Sequence, residues 1–117
     1  MDKAPLTFRM AERKDAPLIL QFIRELARYE KLEQEVVATE SLLEEWIFDK
    51  GKAEVLFALA GGKEVGFALF FHNFSTFLGR AGLYLEDLYV MPEYRGQGYG
   101  KGILRKLAQI ALERGCG

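Results

Sequence analysis

Apolar positions change their rhythm along this chain, and the changes mark its elements. Leu6–Met10 reads as a short strand. Asp15 stands where a helix N-cap is expected, with Pro17 tolerated in the first turn. Leu18, Ile19, Phe22, Ile23 and Leu26 then recur at helical spacing, which predicts a helix running to about Tyr29. Thr39 or Ser41 caps a second helix, Ser41 with Glu44 fitting a capping box, and its apolar face is Leu42, Leu43, Trp46 and Ile47. Strands are predicted at Glu54–Ala60 and at 64–72, joined by the hairpin signal Gly61-Gly62. Residues 73–82, with Ser75, Thr76, Gly79 and Gly82, read as a loop, and 82–90 as a third strand of this group. A glycine-studded turn over 95–102 leads into a last helix. Its apolar face is Ile103, Leu104, Leu107, Ile110 and Ala111, and Gly115 is placed to end it. Phe67, Phe70, Phe71, Phe74 and Phe77 are expected in the core and on the sheet face. The order of elements predicts an α/β (α+β) sandwich, a mainly antiparallel sheet flanked by helices.

Composition narrows the class. The chain has 117 residues, half of them apolar and 28% charged, with a formal net charge of -1. That suits a single folded domain over 1–117 and argues against disorder. No apolar run approaches the ~18 residues of a membrane span. Met1 to Arg9 lacks the apolar core of a secretion signal. One cysteine, Cys116, leaves no internal disulfide framework and no Cys-rich metal site, so the cytoplasm is the expected compartment. The near-neutral balance argues against nucleic acid as the main partner. Residues 93–117 nevertheless hold five basic and two acidic side chains, which suits a small anionic ligand. Residues 30–49 hold seven acids against Lys31 alone, either an attraction for cations or a solvated helix face.

The chemistry concentrates in residues 84–102, where a strand ends, Pro92 stops it, and Gly96, Gly98, Gly100 and Gly102 open a helix. Glycines let backbone N–H groups approach a ligand, and a helix start leaves unpaired donors and partial positive charge. Arg95, Lys101 and Arg105 add cationic charge. A P-loop would need Ser or Thr where Gly102 follows Lys101. The dinucleotide fingerprint would need glycine at Lys101, and too little chain follows for its ribose-binding acid.

The pattern Arg95-x-x-Gly98-x-Gly100, with the acidic strand before it, resembles the acetyl-CoA-binding motif of the GCN5-related N-acetyltransferase superfamily. Arg28-Tyr29-Glu30, Tyr84-Leu85-Glu86-Asp87 and Tyr94-Arg95-Gly96 resemble its spermidine/spermine (diamine) group, which includes enzymes acting on thialysine. The resemblance covers essentially the whole chain. It implies acetyl-CoA as cosubstrate and N-acetylation of a small di- or polyamine or thialysine-like amino acid; with no other His or Cys ligands near His72 in sequence, no metal is expected. It places acetyl and pantetheine contacts on Leu88, Tyr89 and Val90, mostly through main chain. It places diphosphate contacts on Arg95, Gly96, Gln97, Gly98, Tyr99, Gly100 and Lys101. Tyr29, Glu30 and Glu86 are implied amine contacts.

Chemistry supports these roles. Acyl transfer to an amine develops an oxyanion that backbone N–H groups at a bulged strand can polarise. The amine, which titrates near ~10, must shed a proton, and Glu86 is the candidate acceptor. On a regular strand Asp87 points to the opposite face unless a bulge re-aims it, and its structural reading is preferred. His72 reads as structural or surface, and Cys116 lacks a catalytic setting. None of Tyr29, Tyr84, Tyr89, Tyr94 or Tyr99 matches the family's thiolate-protonating tyrosine, so no general acid is assigned.

The resemblance implies further C-terminal elements, this chain corresponding to roughly two-thirds of the family domain. A missing strand beside 82–90 would leave an open, adhesive edge, so an isolated 117-residue product is expected to associate and be inactive. The complete protein is expected to be a homodimer with no membrane partner. A non-catalytic acyl-CoA-binding module and an inactive fragment stay open as alternatives.

Overall fold

The computed structural model describes residues 5–117, so the first four residues of the Met1–Arg9 stretch lie outside the described residues. Four strands, β1 (Leu6–Met10), β2 (Glu54–Ala60), β3 (Lys63–Ser75) and β4 (Arg80–Val90), form one antiparallel sheet in the order β1-β2-β3-β4. Helix α1 (Ala16–Tyr29) and the short α2 (Glu40–Leu43) lie between β1 and β2, and α3 (Tyr99–Glu113) follows β4.

The alternation of side chains splits the core into two layers. On one face Val55, Phe57, Phe67 and Tyr89 meet Ile19 and Phe22 of α1. Phe22 anchors this layer, its ring 5.6 Å from Phe67, 6.1 Å from Phe57 and 5.9 Å from Tyr89. Such a fully buried phenylalanine contributes about 1.5–3 kcal/mol by its burial. On the other face Leu56, Ala58, Ala68 and Phe70 meet Ile103, Leu107 and Ile110 of α3. Helix α3 lies close over β1, where a Cβ on Gly102 would come within 2.6 Å of Leu6 Cδ2.

Several local expectations change. Asp15 occupies the N-cap position of α1 but makes no side-chain cap there. Its carboxylate takes two hydrogen bonds from Arg9, at 2.8 and 2.9 Å, and one from the Glu12 N–H at 2.7 Å. Thr39, not Ser41, caps α2, its hydroxyl accepting from Leu42 N–H at 3.1 Å. That helix widens into a π-helical segment at Glu44–Asp49, so the regular face breaks and Leu42 and Trp46 are exposed while Ile47 is buried.

The expected loop over 73–82 is instead the tip of a long hairpin, since β3 runs to Ser75 and β4 starts at Arg80. Polar residues in a strand pair as well as apolar ones, because the ladder uses main chain. At this projecting tip Phe74 and Phe77 are exposed, unlike Phe67 and Phe70 in the core. Leu104 is also exposed on α3, whose buried line is Tyr99, Ile103, Leu107 and Ile110. No helix among the described residues is long and apolar enough to cross a membrane.

Candidate active site

The β4–α3 connection is an open glycine cradle. Met91 leaves the sheet, Pro92–Tyr94 makes one 3₁₀ turn, and Gly98 becomes the N-cap of α3. Gly96 and Gly98 both take φ near +80°, a region that side chains with a Cβ rarely adopt. A Cβ built on Gly96, Gly98 or Gly100 meets nothing within 4 Å. The space over these residues is therefore free for a ligand, and any side chain there would fill it. With the partial positive charge at the start of α3 and the nearby Arg95 and Lys101, this cradle fits a diphosphate.

Strand β4 carries the second feature. Leu69 pairs with Asp87 but the next residue, Phe70, pairs with Leu85, so Glu86 is the extra residue of a β-bulge. Before it Leu83 and Leu85 pack toward α3, and after it Leu88 and Val90 do. The bulge thus absorbs one step of alternation. Asp87 falls on the α1 face with Tyr89, and Glu86 is exposed beside it. Burial, then the negative charges of Glu86 and Glu30, raise the Asp87 carboxyl above its ordinary range. Glu30 reaches this neighbourhood because α1 ends there, its next residue Lys31 turning the chain with φ 61°.

The sheet ladder decides which main-chain groups of β4 are available. Met91 N–H bonds Val65 O at 2.8 Å, so alternate residues point the other way. Leu88 and Val90 direct their N–H and C=O to the outer edge, whereas Tyr89 spends its own on β3. Tyr89 instead contributes its ring.

Between the cradle and the end of α1 lies a cleft of about 320 Å³. Tyr29, Leu88, Tyr89, Val90, Arg95, Gly96, Gly98, Tyr99 and Gly100 line it, with Leu26 and Tyr94. Arg95 crosses its mouth. The guanidinium carbon lies 4.4 Å from the Tyr29 ring centroid and 5.4 Å from that of Tyr89, and Nε donates to Val90 O at 2.8 Å. Tyr99 is almost fully buried, packed with Ala60 and Val65 and stacked on Tyr94, so it forms floor rather than rim.

Gln97, Lys101, Glu30 and Glu86 stand outside the cleft lining. Glu30 and Glu86 meet instead through Asp87, whose carboxyl feels both. Asp87 is the residue that sequence reasoning set aside. Its signal was present in the spacing Leu83, Leu85, Leu88, Val90, where one interval of three interrupts the intervals of two. Among the described residues no His, Cys, Asp and Glu group is placed to hold a metal. His72 lies far along β3, where its Nδ1 pairs with Gly82 O at 3.0 Å and its Nε2 with Arg114 at 2.9 Å.

The family model described as the acetyltransferase (GNAT) family matches residues 19–117, which include the end of α1, the bulge and the glycine cradle. The chain belongs to this family. This acetyltransferase is similar to thialysine N-epsilon-acetyltransferase of Sus scrofa, 43% identical over 97% of this chain and 71% of that protein. It is also similar to spermidine/spermine N(1)-acetyltransferase-like protein 1 of Homo sapiens, 34% identical over 92% of this chain and 16% of that protein. An aminoglycoside acetyltransferase from an uncultured soil metagenomic sample, in complex with sisomicin, shares the fold. Its TM-score is 0.81 at 21% identity, covering 96% of this chain and 73% of that one. An N-acetyltransferase with a mixed α/β fold is the common ground of these matches.

Proposed function

We propose that this acetyltransferase, with residues 1–117 forming part of a single acetyltransferase domain, transfers the acetyl group of acetyl-CoA to a side-chain amine of thialysine or to a terminal amine of a small di- or polyamine. The observation that carries this reading is the bulge at Glu86: it puts Asp87 on the α1 face, where its carboxyl feels Glu86 and also Glu30, the residue after the cleft-lining Tyr29. Bound acetyl-CoA supplies the activated acetyl group. The loop from Arg95 through Gly96, Gln97, Gly98, Tyr99 and Gly100 to Lys101 holds the diphosphate, and the outer-edge main chain of Leu88 and Val90 holds the pantetheine arm.

The three carboxylates and the Tyr29 ring supply what an alkylammonium needs: negative charge and an aromatic face. An alkylamine is mostly protonated at neutral pH, and Glu86, exposed to solvent beside the cleft, takes its proton directly or through water. Asp87 keeps a cation at the site and is a second station for the proton. A cytoplasmic homodimer is part of this proposal; light scattering of the purified protein reads the dimer, and cell fractionation reads the compartment.

The test is acetyl-CoA turnover on thialysine, lysine, spermidine and a short diamine. The Glu86→Gln variant should lose kcat/KM by on the order of 10²-fold near neutral pH and regain much of it at high pH, where free amine is abundant. An unchanged pH profile removes Glu86 from the chemistry. CoA binding with no turnover on any amine leaves a binding module instead.

A further inference from the structure

Arg95 belongs by position to the diphosphate cradle, yet its guanidinium sits elsewhere. It lies over Tyr29 and Tyr89 and is tethered to the outward carbonyl of Val90. Among the described residues, the cation contacts on these two rings both come from this one side chain. Tyr29 is 67% exposed, so an alkylammonium approaching from solvent would seek the same face. Two cations repel one another there, and the face takes one at a time.

We propose that Arg95 is an internal occupant of the amine seat, withdrawn by a bound diphosphate, so that one side chain couples the two substrates. This rests on the reading of Tyr29 and the carboxylates as the amine site. The exchange needs little rearrangement. Arg95 is exposed and is followed by Gly96 in the left-handed region, so its side chain can swing without disturbing the core. In the seat it has aromatic faces and one hydrogen bond to a neutral carbonyl. At the cradle an ionised diphosphate offers charge-assisted, bidentate bonds, which are stronger. Moving there clears Tyr29 and frees the Val90 carbonyl together. Because coupling is reciprocal, an amine already on Tyr29 displaces Arg95 toward the cradle and improves diphosphate binding by the same factor.

Calorimetry with thialysine as the probe, with and without saturating CoA, tests this on the parent, Arg95→Ala and Arg95→Lys proteins. In the parent, CoA should tighten thialysine binding on the order of tenfold. In Arg95→Ala, thialysine should bind the CoA-free protein about tenfold more tightly than it binds the parent, with CoA adding nothing, while CoA itself binds more weakly. Arg95→Lys keeps the charge without the planar stack and should show reduced coupling. Tyr29→Leu, a change at an exposed ring, should weaken thialysine with or without CoA. Unchanged CoA dependence in Arg95→Ala, or weaker thialysine binding to its CoA-free form, overturns the proposal while leaving the amine reading in place. A parent protein that binds CoA but no thialysine, spermidine or short diamine in either condition overturns both.

Discussion

Tyr89 donates its hydroxyl hydrogen to Glu25 across 2.9 Å, joining β4 to α1 where the ring is 4% exposed. Burial, then this bond, push the phenol up to about 12 from 10.0. The raised value means the folded state holds the proton after the unfolded chain has lost it. The stabilisation is therefore full below pH 10 and is lost as pH rises through about 12. In a spectrophotometric titration one tyrosine should ionise late, and Glu25→Gln should bring it earlier. Tyr89→Phe should cost about 1 kcal/mol in urea unfolding.

Asp87 sits the other way on the ledger of stability and function. Its carboxyl is raised by burial and by the charges of Glu86 and Glu30, so near neutral pH its ionised form opposes folding. Asp87→Asn should raise the thermal midpoint at neutral pH, and the gain should vanish in acid, where the parent carboxyl is protonated. The same variant should lose acetyl transfer, a trade between stability and activity. A lower midpoint in differential scanning calorimetry would refute this account of the bulge.

Asp15 is 8% exposed and receives the Arg9 fork, which together with the Glu12 N–H holds its carboxyl below the ordinary range against the cost of burial. Its contribution is present above the ordinary carboxylate range and is lost as pH falls through the depressed value. Asp15→Asn should cost about 2 kcal/mol at neutral pH. Urea unfolding at a series of acid pH values should show a flatter acid limb in the variant.

The cradle separates two kinds of glycine. Gly98 caps α3 with φ 80°, so Gly98→Val should weaken CoA binding and also strain the fold by about 1–2 kcal/mol. Gly100 lies in the first turn of α3, in ordinary conformation with open space around it. Gly100→Ala should therefore leave stability unchanged or raise it by up to about 1 kcal/mol, yet still weaken CoA in calorimetry. Undiminished CoA binding by Gly100→Ala would place the ligand elsewhere.

Much of this architecture was legible in the spacing of apolar residues. Phe22, Phe57 and Phe67 announce their layer because helical and strand periods decide which side chains share a face. The hairpin tip was not legible, since Asn73 and Ser75 carry turn chemistry while their main chains still pair with Gly82 and Arg80. The exposure of Phe77 and Leu104 was hidden for a related reason: apolarity says what a residue prefers, and only the third dimension says what stands opposite. The glycine cradle could be read from Arg95 to Gly100, but the partner of Arg95 could not. Tyr29 is remote in sequence and meets it only because α1 and β4 end at the same edge of the sheet. Whether a bulge re-aims Asp87 was left open by the sequence, and the register places that bulge at Glu86.

The sheet order β1-β2-β3-β4 also sets a timetable for a chain emerging from the ribosome. Strands β2, β3 and β4 are joined by two tight hairpins and can pair as soon as they are made. Strand β1 and helix α1 are synthesised first, yet the surface they need belongs to β2 and β3. Until those strands leave the exit tunnel, Ile19 and Phe22 have no sheet to cover them. The apolar face of the N-terminal third therefore waits uncovered until β2 and β3 have emerged, whereas α3, made after the meander, meets a finished face at once.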